Sequence, residues 1–131
     1  MDYIWNYAFK YFMRKHWDNQ YRSVPVFLES MEDDMIGNYR HDSMGVNSIL
    51  LADNQGLSDR QMMGVLLHEM CHHVVHEEHG PDVDAHGFEW MAEMRRVGFE
   101  GPDCWTDGVD FFSEKEYQET LRMLPGEQEV F

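Results

Sequence analysis

The sequence predicts a single α+β domain: an N-terminal helix, a small sheet of about three strands, and two later helices carrying a cluster of metal-binding side chains. Three observations predict it. Ile4, Trp5, Ala8, Phe9, Phe12 and Met13 recur at helical spacing. Three short apolar runs with turn signals between them fall within residues 24–51. The stretch Leu66-Leu67-His68-Glu69-Met70-Cys71-His72 then places an H-E-x-x-H motif inside an apolar helical pattern. A chain of 131 residues suits one domain, and its 43% apolar content suits a real core.

The first helix is expected over residues 3–17. Lys10, Arg14, Lys15 and His16 gather on its exposed side, with Arg22 following. This basic cluster reads as a solvated helix face. Residues 24–28 form a first strand, and Pro25, which has no N–H to donate, argues for an edge position. A second strand is expected over 35–39 and a third over 46–51, with Ser43-Met44-Gly45 as a turn between them.

Ser58-Asp59-Arg60-Gln61 has the form of a capping box and starts the motif helix. Met62, Met63, Val65, Leu66, Met70, Val74 and Val75 make its apolar stripe, and no Pro or Gly interrupts residues 65–79. On a helix, residues four apart share a face, so His68 and His72 can bind one metal ion. Two imidazoles suit Zn²⁺, which lowers the pKa of a coordinated water to about 7. Glu69 is placed to take that water's proton and pass it to a leaving amine. The motif therefore proposes a zinc peptidase. His73, His76 and His79 read as solvated residues. His76 lies a further turn along the same face, about 6 Å away, too far to close a site held by the other two. Cys71 faces away from the histidines and reads as a buried free thiol.

A third ligand is needed. A metzincin pattern would place Gly and His where this chain has Val75 and Glu78, so that pattern fails. Gly80-Pro81 breaks the motif helix. A second amphipathic helix is expected from about residue 84 to residue 96, with Phe88, Met91, Ala92 and Met94 apolar. Glu89 or Glu93 on it could serve as a thermolysin-type third ligand. His86 is the best candidate, if a tight reversal brings it back to the metal.

The two segments together, Leu-Leu-His-Glu-Met-Cys-His and then His-Gly-Phe-Glu-Trp-Met-Ala-Glu-Met-Arg-Arg-Val-Gly, resemble the SprT-like zinc metalloproteases, which include Spartan. The resemblance implies a zincin-like fold in which His68, His72 and His86 hold one Zn²⁺ and Glu69 is the general base. It also implies that Glu89 is not a ligand. It extends weakly upstream through Tyr11-Phe12-Met13, Asp18-Asn19-Gln20 and residues 24–28, and covers roughly residues 1–100.

The chain departs from that family in two respects. Many members carry a C-terminal zinc ribbon, and two distant cysteines, Cys71 and Cys104, cannot build one. Members acting on DNA–protein crosslinks carry basic DNA-binding elements. This chain has 25 acidic and 10 basic residues, a net charge of −15, which repels phosphate backbones. Strong direct binding of nucleic acid is not expected. The expected partner is a protein or peptide substrate, and Tyr39, Arg95 and Arg96 are candidates to assist the oxyanion.

Beyond Gly98 the pattern weakens. Gly101-Pro102-Asp103 and Thr106-Asp107-Gly108 read as turns. Ser113-Glu114-Lys115-Glu116 reads as a second capping box, opening a helix to about Leu124, with a mobile acidic tail after Pro125-Gly126. Residues 101–131 are thus a C-terminal extension with a short helix. No 18-residue apolar run or signal-peptide pattern occurs, and with a free thiol this suits a cytoplasmic setting. The alternative to an enzyme is an acidic, zinc-stabilised interaction module, or a binding protein that imitates nucleic acid.

Overall fold

The computed structural model describes residues 3–42, 44–99 and 106–124. Helix α1 spans Tyr3–Trp17, and its apolar residues Trp5, Ala8, Phe9, Phe12, Met13 and Trp17 are buried. It ends where Asp18 and Asn19 turn left-handed, at φ 53° and 59°. Short polar side chains tolerate that conformation better than most.

Strands β1 (Val26–Glu29), β2 (Gly37–His41) and β3 (Asn47–Ala52) form one sheet in the order β1-β3-β2. β3 is central and buried throughout, parallel to β1 and antiparallel to β2. β1 lies at an edge, where Pro25 placed it. β2 begins and ends two residues later than its sequence suggested. The cause is the reversal that follows it: the Asp42 carboxylate accepts from the Met44 and Val46 amides at 2.9 Å, and Gly45 adopts φ 78°. That turn closes directly on His41, so Arg40 and His41 pair with Ser48 and Asn47 despite their polar character.

Helix α2 spans Asp59–His79 and runs through the centre of the molecule. The Ser58 capping box is formed on both sides, and Gly80 ends the helix at φ 84°. Glycine is favoured there because a side chain would be strained. Twelve of its residues are buried, among them Met63, Leu66, Leu67, Met70 and the free thiol Cys71. Gly64 is the unexpected member. A Cβ on Gly64 would collide with the Gly108 carbonyl, and one on Gly108 with that of Gly64. Glycine inside a helix costs about 1 kcal/mol relative to alanine. Here it lets the chain at Gly108 lie directly on α2.

Helix α3 spans Phe88–Val97, and α4 spans Glu114–Met123 behind a formed capping box at Ser113. α3 starts four residues later than its amphipathic pattern suggested, so His86 stands on the turn leading into it. Aromatic packing ties the C-terminal segment to the core: Phe112 stacks on Phe12 at 5.8 Å and Phe111 packs on Phe99 at 4.3 Å. No helix among the described residues is long and apolar enough to cross a membrane. The turn expected at residues 101–103 and the tail after Leu124 lie outside the described residues.

Candidate metal centre

His68 and His72 project from one face of α2, four residues apart. His86 reaches them from the turn before α3. One ring nitrogen from each lies within 4.8 Å of those of the other two, and His86 is the most exposed of the three. This is the one group of three or more metal-binding side chains among the described residues. Glu93, an alternative third ligand, is engaged elsewhere. It accepts from Trp17 Nε1 at 3.1 Å and from Arg96 Nε at 2.9 Å. Glu89 stands outside the group as well.

The surroundings fix the histidines. His68 Nδ1 lies 2.7 Å from the Thr106 carbonyl, so that nitrogen donates and Nε2 keeps its lone pair. His72 bonds to the Ala85 backbone, within the turn that carries His86. Trp90, fully buried, packs against all three: stacked on His72 at 5.2 Å and edge-on to His68 at 5.2 Å and His86 at 4.5 Å. Burial holds each imidazole below its usual pKa, most strongly His72, at about 3, where His68 and His86 add to the effect. Neutral imidazoles with a free lone pair are what a metal ion requires. The donor set therefore fits a borderline metal such as zinc.

Glu69 is buried beside the cluster, with Oε2 3.9 Å from His68 Nε2. Burial pushes its carboxyl up to about 8. Gly37, the first residue of β2, is packed on it. A Cβ there would lie 2.9 Å from Glu69 Oε2 and 2.7 Å from Val65 Cγ1. Sequence reasoning missed Gly37, Thr106 and Trp90 as parts of the site. Trp90 alone left a signal, the aromatic residue of the second motif.

The site opens into a cleft of about 420 Å³ between α2, β2 and the turn after α2. Gly37, Asn38, Tyr39 and His41 line one wall and Val83, Asp84 and Ala85 the other. One side of β2 pairs with β3, its second edge has no strand partner among the described residues, and four of its residues line this cleft.

Several expectations are corrected here. His73 is not solvated. It is fully buried, with Nε2 2.8 Å from the Arg22 carbonyl and Nδ1 3.1 Å from Tyr39 Oη. His76 is half-buried in the cleft wall, and only His79 is exposed as expected. Tyr39 lines the cleft, but its hydroxyl is held among His73, His76 and Asn47. Arg96 binds Glu93, the His16 carbonyl and the Trp17 ring, away from the cleft. Arg95 is not among the residues lining the cleft either. Arg22 does not join the α1 basic cluster; it pairs with Glu77 at 2.7 Å.

Three histidines converging beside a buried glutamate, on an H-E-x-x-H helix under a small mixed sheet, define a metallopeptidase of the zincin type. The profile of the SprT-like family matches residues 6–109, and the chain belongs to that family. No curated protein and no solved structure matches the chain.

Proposed function

We propose that His68, His72 and His86 hold one zinc ion, and that Glu69 is the general base for hydrolysis of peptide bonds within a protein or peptide chain. The observation that carries this is the convergence of three neutral imidazoles within 4.8 Å beside Glu69. When bound, zinc supplies Lewis acidity, polarising the scissile carbonyl and acidifying water. Glu69 takes the proton of the attacking water and delivers it to the leaving nitrogen. Burial raises the Glu69 pKa in the metal-free chain, so its carboxylate, once ionised beside a bound cation, is a stronger base than an exposed one. The substrate backbone binds in extended form against the free edge of β2 and adds a strand there. With three protein donors in the cluster, one coordination position remains for water and substrate. That supports an enzyme over a structural zinc module, whose site would be closed by a fourth protein ligand.

The test is Glu69→Gln. The variant should keep its zinc and its fold while cleavage of an unfolded protein substrate falls by about 10²–10⁴-fold. Undiminished cleavage would remove Glu69 from the role. Full zinc content in His86→Ala would remove His86 from the ligand set.

A further inference from the structure

The cleft carries two more imidazoles beyond the three-histidine cluster. His76 follows His72 by one helical turn, and His41 is the last residue of β2. Their ring centres are 4.3 Å apart, with planes inclined at 33°, and both line the cleft.

Neighbours decide where His76 keeps its proton. Tyr39 Oη lies 3.1 Å from His73 Nδ1 and 2.7 Å from the Asn47 side-chain amide. Tyr39 has a single proton. It goes to His73 Nδ1 or, with the amide turned, to Asn47 Oδ1. In either arrangement a Tyr39 lone pair is left for His76 Nδ1, 3.4 Å away. The Glu77 carboxylate, 4.0 Å from the same nitrogen, also favours a proton there. The lone pair of His76 is therefore on Nε2. A histidine with Nδ1–H facing oxygen acceptors and Nε2 free is in the form that binds a metal.

We infer that His41 and His76 form a second site for a divalent first-row transition-metal ion, at the outer end of the cleft, with water completing its coordination. Burial and the neighbouring His41 hold the His76 pKa below its usual value. A net charge of −15 raises the local concentration of cations. No third protein donor among the described residues joins the pair as closely as the three ligands join one another, so binding is weaker than at the cluster. An ion held here stands in the substrate's path, and metal beyond one equivalent then slows turnover.

Zinc is the probe. Protein loaded with one equivalent is dialysed against increasing Zn²⁺, and bound metal is counted by mass spectrometry. The wild type should take up a second, weaker equivalent. Titrated in parallel, His41→Ala and His76→Ala should each keep the first and lose affinity for the second by at least about tenfold. In the wild type, side-chain nitrogen resonances of His41 and His76 should shift as the second equivalent binds. Thermal melts of the singly loaded variants show that each is folded, and His41, being exposed, is the safer substitution. The inference is overturned by no second equivalent up to millimolar zinc, or by a second equivalent unchanged in both variants. His86→Ala separates the two sites: it should abolish the tight equivalent and leave the weak one.

Discussion

Glu69 is a carboxyl almost without access to water, and its ionisation is opposed for that reason. Its pKa rises from 4.5 to about 8 in the folded, metal-free chain. Between those values the folded chain keeps a proton that the unfolded chain releases. Stability from this group is therefore intact below about pH 4.5 and falls as pH rises toward 8. Without metal, Glu69→Gln should melt higher than the wild type at about pH 8 and alike at about pH 4. Equal melting temperatures at both would mean that the carboxyl ionises freely. The three histidines have the opposite sign. Their folded pKa values are depressed, so their contribution is full above the unfolded value of 6.5 and is lost as pH falls toward about 3 for His72. A chelator should therefore lower the melting temperature more at about pH 8 than at about pH 5, since protonation already competes with metal at the lower pH. Gly37 offers a steric test of the same site. Gly37→Ala should retain zinc but displace Glu69 and slow cleavage about 10²-fold, measured as kcat on an unfolded substrate.

The packing of one element on another decides how firmly the three clustered histidines are held. The chain at Thr106 to Gly108 lies on α2 because Gly64 and Gly108 both lack a side chain, and this contact presents the Thr106 carbonyl to His68. Gly108→Ala is doubly opposed, by collision with Gly64 and by φ 91°. It should weaken zinc binding about 10–100-fold while far-ultraviolet circular dichroism stays near that of the wild type. Unaltered zinc affinity in a folded Gly108→Ala protein would show that the Thr106 contact does not orient His68. Gly64→Ala tests the same contact from the other side, at a helical position where the backbone itself favours alanine. On α3 the first turn begins just after His86, and Gly87 allows the tight approach to Asp84, 3.1 Å from where a Cβ would stand.

For the molecule as a whole, charge is the dominant fact. Lys10, Arg14 and Lys15 are exposed on α1, but they stand in the field of 25 acidic side chains. Binding of single- or double-stranded DNA at physiological salt should be weak or absent by fluorescence anisotropy. Submicromolar, salt-sensitive binding would overturn that and return a nucleic-acid role to the chain. The same field favours cationic segments of a protein substrate over anionic ones, and the preference should fade as salt is added.

Local chemistry was legible in the sequence. Helical periodicity gave α1 to its ends, Ser58 and Ser113 gave the starts of α2 and α4, and the i, i+4 spacing placed His68 and His72 on one face. These features depend on residues within one turn of each other, so composition and spacing contain them. His86 was legible too, as a residue type with the right reach, although the helix expected to carry it starts after it. What the sequence could not contain was contact between distant segments. His73 looks like its neighbours on paper, and only the Arg22 carbonyl and Tyr39 make it a buried, hydrogen-bonded residue. Gly37 and Thr106 carry no signature of a metal site except through what they touch, and Trp90 left only its place as the aromatic residue of the second motif. Their roles come from close packing, which depends on shape between segments up to 38 positions apart in the chain, and tertiary structure alone decides it.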